Sequence, residues 1–255
     1  MRRAALALVA LALACGLARA ETLVLSLSSD KIAITSNFTG ADIAIFGAVE
    51  RDATTISRAA AYDVVVSVRG PRGSLAVREK SRVGPMWLIT DQRRYIAIPA
   101  FIATLSNRPL QEIAGEEMRR KITLGVDALV PPQGRRTDIF DPDEPNFRQA
   151  LMRLRREEGL FIEKGDAAEF LTPSLFRATL RIPGIAPLGR YDVDVTLLSD
   201  GVPLARQSAH FNVIKGGLEQ RLATAAREQP WSYGLATALM AVFLGWIATI
   251  IFRRD

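Results

Sequence analysis

The sequence predicts a mainly β body followed by one membrane-spanning helix, and three patterns support this prediction. Apolar and polar residues alternate with the period of two that is typical of half-buried strands, as at Val64, Val66 and Val68. Clusters of Gly, Pro, Asp and Ser end these runs at short intervals and indicate turns. An uncharged stretch of twenty residues, 233–252, lies close to the C terminus.

The composition is that of a folded protein, with 49% hydrophobic and 24% charged residues in a chain of 255. One cysteine cannot form an intramolecular disulfide, and one cysteine with one histidine cannot supply the ligands of a typical zinc site. The sequence has no phosphate-binding glycine motif and no serine–histidine pattern typical of a hydrolase. We therefore expect no metal, no cofactor and no catalysis. Carboxylates that meet only in space leave a hydrolase as a remote alternative.

The first twenty residues are typical of a secretory signal peptide, because a basic pair precedes the apolar run 4–14 and small residues follow it. We predict cleavage between Ala20 and Glu21. An uncleaved anchor is the alternative, but the run is shorter than the roughly 20 apolar residues that a spanning helix needs. Acylation of Cys15 is a further alternative, although Ala12 stands where such sites usually have leucine.

Residues 233–252 are predicted to span a membrane. A helix of this length covers about 30 Å, which matches the hydrocarbon core of a bilayer. A buried core helix is the alternative, but such helices seldom lack a polar face over this length. Two arginines follow the stretch, and the positive-inside rule keeps the tail 253–255 in the cytoplasm. We expect a single-pass bacterial inner-membrane protein with a periplasmic body, 21–215, and a juxtamembrane helix or linker, 216–232.

The net charge of +6 resembles that of a nucleic-acid-binding protein, but much of it lies in the terminal segments. Without the signal peptide and the tail, the body has a net charge of about +2. Nucleic-acid binding thereby loses its electrostatic basis. The lack of cysteine after the signal peptide fits an oxidising compartment.

The body is predicted to be an antiparallel, immunoglobulin-like sandwich with a helical insertion at 105–159. Many short strands with one polar face and frequent turns favour two packed antiparallel sheets. A single interrupted sandwich is favoured over two small ones, and both stay open. The predicted strands include 23–27, 62–69, 176–182, 191–197, 202–206 and 211–214, and a turn is predicted at 70–73.

The insertion is predicted to contain a helix that begins at Asp143 or Glu144 and ends at Gly159. Phe147, Leu151 and Leu154 are expected on its buried face. The opposite, solvated face carries Arg148, Arg153, Arg155 and Arg156. A shorter helix near Pro109 is expected to be capped by Ser106 or Asn107.

Two further groups could carry chemistry. Asp141, Asp143 and Glu144 form an acidic cluster, but it lacks the glycine and the distant glutamate of a calcium loop. His210 follows the alternation of a strand and has no nucleophile beside it in the sequence, so we predict an ordinary strand residue.

Cations in the first half of the body form a candidate anion or partner surface. A solvated sheet face is the alternative interpretation. The candidate residues are Arg69, Arg78, Lys80, Arg82 and Arg108.

Small residues recur in the predicted membrane helix at intervals of four, three, four and three, which places them along one stripe. Such a stripe lets a second helix approach closely, and this is how membrane helices associate. Chance is the alternative, because alanine is common in membrane spans. The candidate partner interface contains Gly234, Ala238, Ala241, Gly245 and Ala248.

Several segments together resemble a family of transmembrane proteins of alphaproteobacteria (Alph_Pro_TM). The segments are 34–40, 46–47, 62–71, 77–80, Trp87, 105–110, 175–178, 233–235, 245–246 and 251–254. The resemblance covers nearly the whole mature chain and implies a signal sequence, an exported domain and a C-terminal span. It brings no catalytic residues. Members resemble companions of sulfite-exporter-type permeases, which implies an accessory role beside a transporter of small sulfur-containing anions.

Three functions follow as hypotheses. The first is a non-catalytic accessory or scaffold protein whose helix binds the lipid bilayer and a polytopic membrane protein, or a second copy of the chain. The second is a periplasmic anion-binding module. The third, remote hypothesis is a hydrolase with unrecognised carboxylates.

Overall fold

The computed structural model describes residues 21–35, 39–51, 62–132, 144–216 and 226–251. The predicted signal peptide with Cys15, the residues Asp141 and Asp143, and the tail lie outside the described residues. The strands are β1 (Glu21–Leu27), β2 (Lys31–Ile34), β3 (Gly40–Arg51), β4 (Asp63–Arg69), β5 (Arg72–Val83), β6 (Met86–Pro99), β7 (Ile102–Ser106), β8 (Phe161–Lys164), β9 (Ala168–Thr172), β10 (Leu175–Pro183), β11 (Gly189–Ser199) and β12 (Val202–Lys215). The helices are α1 (Leu110–Ile113), α2 (Glu116–Lys121), α3 (Val126–Leu129), α4 (Glu144–Glu157) and α5 (Pro230–Ile251). The prediction of a mainly β fold with one C-terminal apolar helix is confirmed.

The first sheet has the strand order β1-β3-β10-β9, and its neighbouring strands are antiparallel. The alternation predicted for β10 is present, because Ala178, Leu180 and Ile182 are buried while the residues between them are exposed. Phe176 pairs with Gly47 on β3, and a Cβ atom at Gly47 would overlap the Phe176 ring. Glycine at this position therefore lets an aromatic ring lie flat on the neighbouring strand.

The second sheet has the order β2-β12-β11-β4-β7-β8. The predicted antiparallel arrangement is wrong at both of its edges, because β2 is parallel to β12 and β8 is parallel to β7. Parallel neighbours need a crossover connection. The helical segment between β7 and β8 supplies one crossover, and β2 and β12 lie far apart in the chain. Both edge strands have four residues. The two strands predicted at 202–206 and 211–214 are the single strand β12.

The two sheets face each other across one hydrophobic cluster that contains residues from both halves of the chain. Val64, Val66 and Val68 of β4 are fully buried in this cluster. Tyr191 at the start of β11 stacks on Phe211, with 5.1 Å between ring centroids. Its hydroxyl donates a hydrogen bond of 2.7 Å to the carbonyl oxygen of Pro187, four residues upstream. A tyrosine corner in Greek-key sandwiches has this arrangement.

The strand order matches part of the immunoglobulin topology. In constant-type immunoglobulin domains, strands A, B, E and D form one sheet and strands C, F and G form the other. The orders β1-β3-β10-β9 and β12-β11-β4 follow the same pattern. An immunoglobulin-like relationship remains a prediction, and the sandwich arrangement itself is a feature of the structure.

A long hairpin, β5–β6, follows β4 and precedes β7 in the chain and forms a separate two-stranded sheet. The predicted turn at 70–73 is shorter than expected, because β5 already begins at Arg72 and residues 70–71 connect it to β4. The turn of the hairpin consists of Gly84 and Pro85. Gly84 has φ 64°, a left-handed conformation that favours glycine.

The segment between β7 and β8 contains α1 to α4. Leu110, Ile113 and Leu124 form a second hydrophobic cluster with residues of β4 and β11, so this segment covers the outer face of the second sheet. The predicted helix near Pro109 exists as α1, but the predicted caps are wrong. No side chain caps α1, and the hydroxyl of Ser106 donates to the carbonyl oxygen of Arg108 instead.

Helix α4 begins at Glu144, as predicted, and ends at Glu157. Phe147 and Leu151 are buried, but Leu154 is 44% exposed. Met152 is buried in its place, at 4% exposure. The prediction for Leu154 is wrong. Met152, one position after Leu151, faces the core, and the buried face ends there and not at Leu154.

Candidate functional site

Helix α5 is the first candidate region. Its 22 residues cover about 33 Å, and the mean hydropathy reaches 2.1 over an 18-residue window. None of its residues is buried, and Trp231 is 91% exposed. The helix begins at Pro230, three residues before the predicted start, and proline is favoured in the first helical turn. Its length and composition are those of a membrane-spanning helix.

The predicted stripe of small residues lies along one exposed face of α5. At 100° per residue its five members fall within roughly 80° of the helix circumference. A Cβ atom added to Gly234 or Gly245 would meet no atom within 4 Å, so nothing in the described residues covers the stripe. The hydroxyls of Thr237 and Thr249 donate to the carbonyl oxygens of these two glycines, so both hydroxyls are paired within the helix. The stripe is Gly234, Ala238, Ala241, Gly245 and Ala248, all exposed.

The predicted cation surface is divided between three places. Arg69 lies at the end of β4 and Arg108 lies beside its start, so the length of this seven-residue strand, roughly 20 Å, separates them. Arg78, Lys80 and Arg82 lie on the β5–β6 hairpin. The structure brings these last three together along one strand and separates them from the other two.

Arg108 is held by a buried carboxylate. Its Nε donates 2.8 Å to Asp63 and a second guanidinium nitrogen donates to the other oxygen of the same carboxylate. The side chain of Asp63 is 3% exposed and also accepts a hydrogen bond of 3.1 Å from Asn107. The hydrogen bond that Arg108 donates to Asp63, followed by the attraction of the Asp63 charge, raises the pKa of Arg108. This arrangement connects the start of β4 with the end of β7 and fixes the guanidinium on Asp63 through two of its three nitrogens.

Arg69 is held in a similar way on the outer face of the second sheet. It donates to Asp194 of β11, whose side chain is 8% exposed. Asp194 also accepts hydrogen bonds from Arg206, at 3.1 Å, and from Ser208, both on β12. Burial, followed by repulsion from Arg206, lowers the pKa of Arg69, although a guanidinium stays charged at physiological pH. The carboxylate on β11 therefore accepts hydrogen bonds from two arginines and a hydroxyl on the two neighbouring strands, β4 and β12.

The three hairpin cations are different, because all are exposed and none has an ion pair within the described part of the chain. Arg82 donates 3.1 Å to the carbonyl oxygen of Gly84 in the turn. The apolar residues beyond these cations were not among the predicted site residues. Val83, Met86, Trp87, Leu88 and Ile89 are all exposed, by 45% to 68%. The available signal was an apolar run without alternation, directly after a Gly-Pro turn.

An open cleft of about 540 Å³ lies in the helical segment. Most of its charged groups are engaged: Arg120 pairs with Glu116, and Arg148 donates 2.8 Å to the carbonyl oxygens of both Asp127 and Val130. The exception is Arg119, whose buried Nε has no hydrogen-bond partner among the described residues. The cleft is lined by Glu116, Arg119, Arg120, Leu124, Asp127, Ala128, Pro131, Pro132 and Arg148.

The remaining candidates occupy ordinary positions. His210 is exposed on β12 and lies opposite Asp192 of β11. Within the part of the chain that the structure describes, no three His, Cys, Asp or Glu side chains come close enough together to hold a metal ion. Ser67 and Thr104 are paired neighbours on β4 and β7, and their buried hydroxyls find no hydrogen-bond partner among the described residues.

The comparisons with known proteins agree with the properties of α5. No curated protein and no solved structure matches the chain. One family model, described as "Putative transmembrane protein (Alph_Pro_TM)", matches residues 22–254 and thus covers the body and the helix together. The chain belongs to this transmembrane protein family.

Proposed function

We propose that the protein is a non-catalytic accessory or scaffold protein of the bacterial inner membrane, whose periplasmic β body is anchored by α5 and whose helix docks on a polytopic transporter. The uncovered stripe of small residues on α5 carries the proposal, because an anchor that contacts lipid alone has no use for a flat face. Close approach of two helices over such a face gains van der Waals contact that lipid cannot supply. The cargo of the transporter would be a small sulfite-like anion.

The orientation has two supports. The signal-like N terminus directs the body out of the cytoplasm, and Arg253 and Arg254 follow the helix on the cytoplasmic side. A single cysteine at Ser174, an exposed turn residue of the body, tests this orientation in spheroplasts of a Cys15→Ser strain. We expect an impermeant maleimide to label the cysteine without lysis, and labelling only after lysis would contradict a periplasmic body.

The docking itself is tested with full-length protein purified in mild detergent. Replacing Ala241 and Gly245 with leucine fills the stripe, so we expect a multi-span membrane protein to be lost from the co-purified material. Phe243→Leu with Ile250→Leu is the matched control, because these positions lie on the opposite face of α5 and should retain the partner. Equal recovery with both variants, or recovery of no membrane protein with the natural chain, would contradict docking through the stripe.

The anion-binding alternative required five cations to act together. Arg69 and Arg108 are each engaged by a buried carboxylate and lie about 20 Å apart along β4, which argues against a shared anion site. Charge reversal at Arg78 together with Arg108 provides a direct test. Loss of sulfite binding with the membrane partner retained would support the module, and unchanged binding of both would favour the accessory role.

A further inference from the structure

We propose that the tip of the β5–β6 hairpin is a second membrane contact, which inserts into the interfacial layer of an anionic bilayer. The tip is defined as residues 80–89, and it extends beyond the part of the hairpin that packs on the body. This inference depends on α5 holding the chain at a bilayer. It does not depend on a transporter partner.

The hairpin changes character along its length. In its base, Leu75, Val77, Tyr95 and Ile98 are buried in the main core, at exposures of 1% to 8%. Arg93 lies over the ring of Phe147 on α4, 4.6 Å from the centroid, and fixes the base against the helical segment. From residue 78 to residue 90, every side chain is exposed or half-exposed. The tip therefore projects from a base that the body holds rigidly.

Apolar side chains occupy both faces of the tip. Cross-strand pairs share a face, and the register pairs Arg82 with Trp87 and Val83 with Met86. Trp87 and Ile89 therefore lie on one face, while Met86 and Leu88 lie on the other. A protein groove or an added strand would cover one face or one edge. An apolar phase that surrounds the tip covers both faces, and a lipid layer is such a phase.

The charges fit an anionic surface. The tip contains two basic and no acidic side chains, and these two, Lys80 and Arg82, come directly before the apolar end. Their alkyl chains can follow the apolar residues while their charged groups remain at the level of lipid phosphates. Tryptophan is enriched at this level of the bilayer, and Trp87 pairs with Arg82 across the hairpin.

The backbone limits the depth of insertion. Each strand of a two-stranded sheet has an edge of unpaired N–H and C=O groups, and each such group costs several kcal/mol in hydrocarbon. The tip is about 13 Å long from the Lys80–Ile89 pair to the turn. Insertion thus stops in the interfacial layer, where water still reaches the backbone.

The connection between the body and α5 makes the contact of the tip with the bilayer favourable. Fourteen residues, 216–229, separate β12 from α5, and a chain of that length spans at most about 50 Å. The tip is therefore held near the bilayer at a high effective concentration, and a weak intrinsic affinity is sufficient for binding.

Spin-label depth measurements on the full-length chain test the proposal. In a Cys15→Ser background, a nitroxide is placed at Met86→Cys and, as the matched control, at Ser174→Cys. The protein is reconstituted without any other protein into vesicles of phosphatidylcholine, or of two parts phosphatidylcholine to one part phosphatidylglycerol. We expect the label at position 86 to collide severalfold more often with oxygen and less often with a water-soluble nickel chelate than the control label.

Two double variants test separately the apolar and the basic side chains of the tip. Leu88→Ser with Ile89→Ser should return the label at position 86 to the aqueous values of the control. Lys80→Gln with Arg82→Gln should remove the preference for phosphatidylglycerol. Both pairs are exposed, so circular dichroism should report an unchanged fold. Equal accessibility at positions 86 and 174 in both kinds of vesicle would overturn the proposal. This result would leave docking through α5 unaffected.

Discussion

The two halves of the β5–β6 hairpin show how similar side chains serve different purposes in one element. At the base, apolar residues occupy alternate positions and the sandwich covers them, as at Val77 and Ile98. At the tip, Met86 and Trp87 are consecutive, apolar and exposed. Alternation along a strand thus reports burial of one face in the chain's own core, as at the base. At the tip, alternation is absent and the described residues leave the apolar side chains uncovered.

The largest expected effect belongs to the base. Ile98→Ala removes a side chain that is 2% exposed, and we expect a loss of about 2–5 kcal/mol in the free energy of unfolding. Urea unfolding of the full chain in detergent measures this loss. A loss below about 0.5 kcal/mol would contradict the difference between base and tip, because it is typical of a surface substitution.

A smaller loss of stability is expected when the carboxylate that pairs with a cation of the body is removed. Asp63→Ala removes the carboxylate that accepts from Asn107 and Arg108. We expect a loss of about 1–3 kcal/mol, reduced from the value for fully buried pairs because the Arg108 side chain is 49% exposed. Arg78→Ala, at an exposed cation of the hairpin, is the control and should leave the unfolding midpoint unchanged. Equal effects of Asp63→Ala and Arg78→Ala on the unfolding midpoint would mean that the hydrogen bonds to Asp63 do not stabilise the fold.

A pH dependence distinguishes the core from the tip further. Burial raises the pKa of Tyr191 above its usual value, so the folded state keeps the phenol protonated where the unfolded state releases the proton. The stabilisation is complete below the unfolded pKa of about 10 and is lost as pH rises above it. Tyr191→Phe should reduce this alkaline loss, at a cost of about 1 kcal/mol at neutral pH for the missing hydrogen bond to Pro187. Identical alkaline unfolding curves for both proteins would refute the assignment.

The smallest effect is expected at the tip. Trp87→Ala should change the free energy of unfolding by less than about 0.5 kcal/mol, because the side chain is 68% exposed. The same substitution should weaken retention of the tip at anionic vesicles. A large loss of stability would show that the Trp87 ring packs on the body in solution. The tip would then contribute to the fold in the same way as the base.

Alternation and turn residues were sufficient to predict much of the sandwich. In β10, each apolar residue from Phe176 to Ile182 is buried, as its period of two indicates. The 22-residue α5 was predictable from its lack of charge. The hairpin was not predicted as a unit, because its distal half follows no period. Its base packs on the sandwich and on α4, which lies about fifty residues away in the chain.

The candidate site was less accessible to sequence reasoning. Five cations in strand and turn regions look alike in a sequence, but two of them have carboxylate partners far along the chain. Asp63 and Arg108 are 45 positions apart, and Arg69 and Asp194 are 125 apart. Only strand order brings these partners together. Met152 and Leu154 are a second example, within one helix. Helical periodicity identifies the apolar face of a helix, but it does not show which residues at the margin of that face are buried.

The edges of the six-stranded sheet have a consequence for crowding in the membrane plane. Copies anchored by α5 diffuse in two dimensions and meet far more often than free proteins of the same abundance. A long unpaired strand would then join one copy to the next. Here β2 and β8 close the sheet with four residues each, too few for an extended ladder. These two edges therefore offer neighbouring bodies little backbone to pair with, even where encounters are frequent.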